Sequence, residues 1–300
     1  MAGRGDTATR MRTKGTILKA LVWAAALFVG CTSTGKVKRP SAVSLVPSVT
    51  ETIFAMEAQD HLLAVSNYCN YPPEVRKLPR VGSLLAPSYE KIAELNPDVV
   101  FITLPMQKDV RENLKKLGIR TVDISPESVD EILQSFVRVG DVLNEHRKGQ
   151  RLRDSLARDY EKLLRKANSL SAMLPRPLKF YIELSSAPLY TVGRKSFLSD
   201  YLRKLHCRNL FDDVDASYFA VNPERVVVGN PDVILLLYRN ADREQVMSRA
   251  GWQDIDAVKN GKVYVIEDVD IFLRPGPRFV EAMRKLLKII EEAANEGAYR

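Results

Sequence analysis

Ser88-Tyr89-Glu90-Lys91-Ile92-Ala93-Glu94-Leu95-Asn96-Pro97-Asp98-Val99-Val100-Phe101-Ile102 and, 134 positions later, Asn222-Pro223-Glu224-Arg225-Val226-Val227-Val228-Gly229-Asn230-Pro231-Asp232-Val233-Ile234-Leu235-Leu236 are two copies of one unit. Each opens on an N-cap residue and carries a Glu in the first helical turn with a basic neighbour. Asn-Pro-Asp then stops the helix, and a continuous apolar run reads as a buried strand. Further on, Gly118-Ile119-Arg120-Thr121-Val122 and Gly261-Lys262-Val263-Tyr264-Val265 each read as a strand after a helix-ending glycine. A repeat this long is not a solenoid. It predicts two similar α/β lobes with parallel sheets.

The rest of the chain fits around these copies. Val43–Val46 is strand-like, and Ser48-Val49-Thr50-Glu51 has the form of a capping box opening a helix through Met56. Ser128-Val129-Asp130-Glu131 is a second capping box, followed by Ile132, Phe136, Val139 and Leu143 at helical spacing. Gly149 reads as a break, after which Leu152, Leu156, Tyr160 and Leu163 continue the pattern until Pro175 and Pro177 end it. A helix over Lys148–Leu170 runs about 35 Å, enough to join two lobes by one stiff connection. The predicted organisation is a signal peptide at 1–30, a tether at 31–40, an N-terminal lobe at 41–145, a connecting helix at 146–172 and a C-terminal lobe at 173–300.

The 300 residues carry 45 Lys+Arg and 37 Asp+Glu, a net charge of +8. At 45% hydrophobic and 27% charged, the composition is globular and excludes a disordered or fibrous chain. Much of the excess lies in Arg4, Arg10, Arg12, Lys14 and Lys19, ahead of the uncharged run Ala20–Gly30. From Pro40 onward, 37 basic residues face 36 acidic ones, so the folded part is close to neutral and no nucleic-acid partner is expected. The uncharged run is 11 residues long, too short for a membrane span of about 20 residues. A basic stretch, a short apolar run and a small residue describe a secretory signal. Gly30-Cys31 resembles a bacterial lipoprotein box, which implies lipidation at Cys31, although Phe28 stands where an aliphatic residue is usual. The alternative is a plain cleaved signal or an uncleaved anchor, and Met11 is an alternative start.

Enzyme signatures are missing: there is no G-x-S-x-G, G-x-x-x-x-G-K-[ST], H-E-x-x-H or C-x-x-C. No catalytic residue, cofactor or metal site is expected, since His61, His146 and His206 lie far apart. Cys69 and Cys207 read as buried free thiols. In α/β sheets, ligands bind beyond the carboxyl ends of strands. The loops expected there are rich in aromatic and small residues: Pro47-Ser48, Asn67-Tyr68, Gly82-Ser83-Leu84, Leu104-Pro105-Met106, Ser217-Tyr218-Phe219 and Asp270–Arg274. Helix N-termini behind Ser48 and Ser196 suit polar ligand groups. Aromatic walls with a few placed donors suit a large, partly apolar small molecule.

Leu45–Glu51, Val65–Pro73, Pro79-Arg80-Val81-Gly82, the two Glu-bearing repeats and Arg274-Pro275-Gly276-Pro277-Arg278 resemble, in order and spacing, the helical-backbone substrate-binding proteins of ABC importers for cobalamin, iron-siderophores and haem. The likeness covers about residues 41–292 and is closest to the cobalamin-binding members, through Tyr68–Pro73. It implies two lobes joined by one long helix, a small-molecule ligand held between them, and a monomer that is exported to the periplasm or cell envelope and held to the membrane by a lipid only. The implied partner is a permease dimer with its ATPase subunits. Glu90 and Glu224 match the family's exposed acids that dock onto permease arginines. The implied ligand is cobalamin or a related corrinoid, with ferric siderophore or haem as the alternative and an enzyme on the same scaffold as a remoter one. Cobalamin-binding relatives often present tryptophans, whereas the aligned Leu84, Tyr218 and Ile271 are not Trp. Trp252 sits in a surface-like Gly251-Trp252-Gln253. The expected ligand set is therefore Ser48, Tyr68, Ser83, Leu84, Tyr218, Phe219 and Phe272, with Arg274 and Arg278 free for phosphate or carboxylate groups. A tyrosine phenolate is a further route to haem iron.

Overall fold

The computed structural model describes residues 39–295, and Arg39–Arg300 forms one compact unit. In the first lobe β1 (Ala42–Ser44), α1 (Pro47–Ala55), β2 (Leu62–Val65), α2 (Tyr89–Leu95), β3 (Val99–Ile102), α3 (Lys108–Lys116) and β4 (Thr121–Asp123) follow one another. The sheet order is β2-β1-β3-β4, and all its pairs are parallel. Two helices follow, α4 (Val129–Val142) and α5 (His146–Ser171). The second lobe holds β5 (Lys179–Ser186), β6 (Leu189–Val192), α6 (Phe197–Lys204), β7 (Arg208–Asn209), β8 (Tyr218–Ala220), α7 (Pro223–Gly229), β9 (Val233–Leu236), α8 (Arg243–Met247), α9 (Asp256–Lys259), β10 (Val263–Val265), α10 (Asp270–Leu273) and α11 (Phe279–Asn295). Its sheet runs β10-β9-β5-β6-β8, with β7 beside the start of β5. The β10-β9-β5 part is parallel, as the repeat predicts; β6 and β8 extend it antiparallel because Ser186 to Leu189 is a hairpin too short for a crossover.

The two copies of the repeat agree residue by residue. Ser88 caps α2 by accepting from the Lys91 amide, and Asn222 caps α7 by accepting from the Glu224 amide. Asn96 and Asn230 end these helices in the left-handed region, both at φ 42°. Asparagine tolerates that conformation better than most residues. Ile92 and Val226 are fully buried beneath the helices, and every residue of β3 and β9 is buried, which is why both strands read as unbroken apolar runs. The Asp of Asn-Pro-Asp does more than stop a helix. Asp98 accepts from the Ser41 amide at 2.8 Å, and Asp232 accepts from the Lys179 amide at 2.7 Å, so each pins the start of the neighbouring strand. Gly118 and Gly261 also take matching left-handed conformations, φ 72° and 66°, ahead of β4 and β10.

α5 is the long helix: its 26 residues span about 39 Å at 1.5 Å each. Gly149 does not break it. The turn falls at Leu143–Glu145, with Asn144 at φ 58°, and Gly149 lies inside the first turns of α5. A Cβ there would meet the Phe136 carbonyl oxygen at 2.5 Å, so this glycine lets α4 and α5 cross closely. α4 ties the lobes as well. Val129, Ile132 and Phe136 join the second lobe's core, whereas Val139 and Leu143 join the first's. The buried Asp200 of α6 accepts from the Val129 amide at 2.8 Å, satisfying a donor at the start of α4.

Candidate functional site

The carboxyl edge of the first lobe's sheet faces the second lobe. Loops after β1, β2 and β4 belong to the first lobe's carboxyl edge by its parallel topology. The first two meet the segment after β10 through Arg274, and the third meets Ser217 of the second lobe, whose hydroxyl donates to Glu127 at 3.1 Å. Ligands of open α/β sheets bind at such edges.

One side of this junction is an ionic cluster centred on Glu51. Pro47 occupies the first helical position of α1, where its missing N–H costs nothing, so the helix starts two residues earlier than a capping box at Ser48 would allow. Ser48 is therefore inside the first turn and is not the N-cap; the N-cap is Val46, with no side-chain cap. The Glu51 carboxylate, 2% exposed, does not turn back to its helix. It accepts from Arg274 Nη1 at 2.8 Å and from Arg278 Nε and Nη2 at 2.9 Å each. Arg274 also pairs with Asp270 at 2.6 Å and donates to the Asn70 side chain at 2.7 Å and the Tyr68 carbonyl at 3.2 Å. Arg278 lies over the Tyr71 ring, 4.1 Å from its centre. Burial alone would lower its pKa, but the bonds to Glu51 outweigh this and hold it above the ordinary value.

This arrangement corrects three expectations. Arg274 and Arg278 are not free anion binders, because Glu51 and Asp270 already neutralise them. Ser48 is buried under Gly276, whose own missing Cβ would sit 3.0 Å from the Ser48 Cβ. Phe272 and Ile271 are both fully buried in the second lobe's core, where a short helical turn points them inward. Sequence reasoning misses Glu51 altogether, since the S-x-x-E pattern accounts for it locally.

Several exposed side chains around the junction are apolar or aromatic, beside the exposed Asn67, Asn70 and Glu127. Tyr68 is 58% exposed, on a loop held by Arg80, which donates to the carbonyls of Ser66, Cys69 and Val75. Leu273 and Tyr71 are exposed on either side of the ionic cluster. Leu85 and Met106 are exposed on loops joined by the buried Gln107, which donates to the Leu84 carbonyl at 2.6 Å and accepts from the Thr103 amide at 2.7 Å. Leu84 itself is half-buried, and the half-buried Ser83 accepts from the Ala86 amide within its own loop. Tyr218 is 43% exposed beside Ser196, and burial of its hydroxyl end pushes its pKa up. Phe219 points the other way, edge-on to Phe211 at 5.4 Å in the second lobe's core. The structure thus brings Ser48, Tyr68, Arg274 and Arg278 together, places Ser83 and Leu84 on a neighbouring loop, and sets Tyr218 on the second lobe's wall. Met106 and Leu273 are found by sequence only within their loops, and Leu85 is missed; an apolar residue inside a Gly- or Pro-bounded loop is the available signal.

Other expectations resolve plainly. Trp252 is not on the surface. It is 1% exposed, edge-on to Tyr181 at 5.9 Å and beneath Arg249 at 4.6 Å. Arg249 in turn forms a two-pronged pair with the buried Glu183, at 2.7 and 2.8 Å, and Tyr238 donates to the same carboxylate. Cys69 and Cys207 are free and buried, and burial raises both thiol pKa values, that of Cys207 to about 12. Among the described residues no cluster of three His, Cys, Asp or Glu could hold a metal ion. A hollow of about 500 Å³ lined by Asp123, Gln134, Arg138 and Arg153, among others, shares no residue with the ionic cluster. Glu90 and Glu224 are exposed in the first turns of α2 and α7, and neither makes an ion pair among the described residues. Cys31 lies outside the described residues.

A family model described as "Periplasmic binding protein" matches residues 43–269. An uncharacterised ABC transporter substrate-binding lipoprotein, YvrC of Bacillus subtilis, is 30% identical over 253 residues, 83% of this chain and 79% of that one. The crystal structure of the periplasmic vitamin B12 binding protein BtuF of Vibrio cholerae superposes with a TM-score of 0.74 at 25% identity, covering 85% of this chain and 98% of that one. The periplasmic haem-binding protein BhuT, in complex with two haems, gives 0.73 at 19% identity over 85% and 99%, a likeness of fold alone.

Proposed function

The chain belongs to the periplasmic binding protein family, the non-enzymatic solute-binding components of ABC importers, and on that premise we propose that its cargo is cobalamin or a related corrinoid. The observation that carries this reading is the make-up of the junction. Tyr68, Leu85, Met106, Tyr218 and Leu273 are exposed there, while the two arginines nearest them are already paired with Glu51 and Asp270. Exposed apolar and aromatic side chains on loops braced by Arg80 and Gln107 offer shape and stacking to a large, partly apolar ligand. The rival cargo, haem or a ferric siderophore, brings carboxylates or other anionic groups, and cobalamin brings a single phosphodiester, so arginines already neutralised by carboxylates weigh most against the cargo with more anionic groups. Haem ligation by Tyr218 would also need its phenolate, which burial disfavours.

In this reading the protein is a monomer, exported and lipid-anchored through Cys31. It delivers its cargo to a permease dimer with ATPase subunits by docking through Glu90 and Glu224. Such charge pairs set register and speed encounter more than they add affinity. Titration of the purified protein with cyanocobalamin, haemin and a ferric siderophore, followed by ligand absorbance and Trp252 fluorescence, tests the cargo. Saturable binding of cyanocobalamin at micromolar ligand is expected. Binding of haemin or the siderophore alone would overturn the assignment.

A further inference from the structure

The helix that joins the lobes is itself strongly charged. α5 holds eight basic residues against three acidic ones, although the folded part as a whole is close to neutral. Arg147, Arg151, Arg158, Lys162 and Arg165 are all exposed. At 100° per residue they fall within about 60° around the helix axis and along about 27 Å of its length. Lys162 pairs with Asp159 at 2.9 Å, but Arg147, Arg151, Arg158 and Arg165 make no ion pair among the described residues. Of the acids bordering this stripe, Asp154 is taken by Arg153, and Glu161 alone leaves the face positive.

A second observation says what lies nearby. The Pro40 carbonyl is bonded to His61 Nδ1 at 2.7 Å, and His61 Nε2 lies 3.4 Å from Glu145, the residue before α5. Lys148 pairs with the same Glu145 at 3.1 Å and donates to the Glu57 carbonyl. The chain therefore enters the folded unit beside the first turn of α5, where the stripe begins. From Cys31 to Pro40 a fully extended chain reaches about 30 Å at most.

We propose that the basic face of α5 rests on the anionic phospholipid headgroups of the membrane that holds the protein. The biological setting rests on the lipid-anchor reading above; the surface itself does not. A tether alone confines the protein without orienting it. A row of unpaired arginines beside the attachment point orients it, because attraction to an anionic surface acts within a screening length of about 8 Å. The exposed acids Glu90, Glu94 and Glu224 on α2 and α7 are repelled by the same surface, so the docking helices stay clear of it until a permease supplies opposite charge.

The test uses the unit from Arg39 onward, all four of whose hydrophobic cores close within residues 42–293. It is sedimented with vesicles of phosphatidylcholine alone and of phosphatidylcholine mixed equally with phosphatidylglycerol. Binding to the mixed vesicles only, weakening with salt, is expected. Arg151→Glu, Arg158→Glu and Arg165→Glu together should lower that partition by more than about 100-fold, the loss expected from removing three positive charges alone. Their Gln counterparts should lower it less, and ligand titration and unfolding should stay unchanged. Equal partition to both vesicles, or an unaltered triple variant, would overturn the proposal; if the Glu triple misfolds, the Gln triple decides. Failure of the anchor reading shows separately, as an unmodified Cys31 in the mass of the N-terminal peptide.

Discussion

Replacing Glu51 by Gln keeps the shape of the lobe junction and removes its central charge. Arg274 keeps Asp270 at 2.6 Å, but Arg278 keeps only the half-exposed Asp268 at 3.4 Å. Both guanidinium groups are largely shielded from water, 9% and 14% exposed. Removing one partner of a buried ion pair costs about 3–5 kcal/mol, because the other charge is left desolvated. The surviving aspartates place the expected loss at the lower end, about 3 kcal/mol. That is a large part of the roughly 5–15 kcal/mol that stabilises a domain. The assay is chemical unfolding with two probes. Trp252 reports the second lobe alone, since the other tryptophan, Trp23, precedes the folded unit. Far-ultraviolet circular dichroism reports both lobes. Glu51→Gln should lower both midpoints, and the combined change Glu51→Leu, Arg274→Met, Arg278→Met with Asp270→Asn should recover most of the loss, because it removes every shielded charge of the cluster together. A Glu51→Gln protein within about 0.5 kcal/mol of the parent, the range of a neutral surface change, would refute the view that this carboxylate clamps the lobes.

Three other expectations follow from separate features. Gly149→Ala should destabilise by roughly 1–3 kcal/mol in denaturant unfolding, because its Cβ would lie 2.5 Å from the Phe136 carbonyl oxygen and force α4 and α5 apart. Charge reversal at both Glu90 and Glu224 should leave ligand affinity intact and abolish transport in cells; undiminished uptake would remove the docking role. For Asp232, burial raises the pKa but its two bonds to Arg176 and the Lys179 amide outweigh this, so the folded value lies below the ordinary one. Its contribution is therefore complete above the unfolded carboxyl value, about 4, and is lost as pH falls through the depressed folded value. Arg176→Met should flatten that acid limb in unfolding midpoints measured against pH; an unchanged slope would show that the pair is not the cause.

Local chemistry made the repeat legible. N-caps at Ser88 and Asn222, left-handed asparagines at 96 and 230, and unbroken apolar strands each depend on neighbours within a few residues, so short-range pattern reports them faithfully. The same reasoning went astray at Ser48–Glu51. The local pattern there offered a satisfactory partner within four residues, and Pro47 shifted the helix start. Gly149 misled for a related reason: a glycine in a helical sequence signals either a break or a close approach, and only the position of Phe136 separates the two.

By itself the sequence determined two matched α/β lobes, a long helix between them and loops rich in aromatics, because caps, turns and burial periodicity are written at short range. Which charges are free was decided only by the tertiary structure. Glu51 meets Arg274 across 223 residues, so two arginines that look available to a ligand are held by a carboxylate that looks like a helix cap. Phe272 and Trp252 make the same point for burial: a loop or turn does not reveal which way its aromatic faces until the opposing core is in place. Pairing and burial at long range depend on how the lobes pack, and packing is a property of the whole chain.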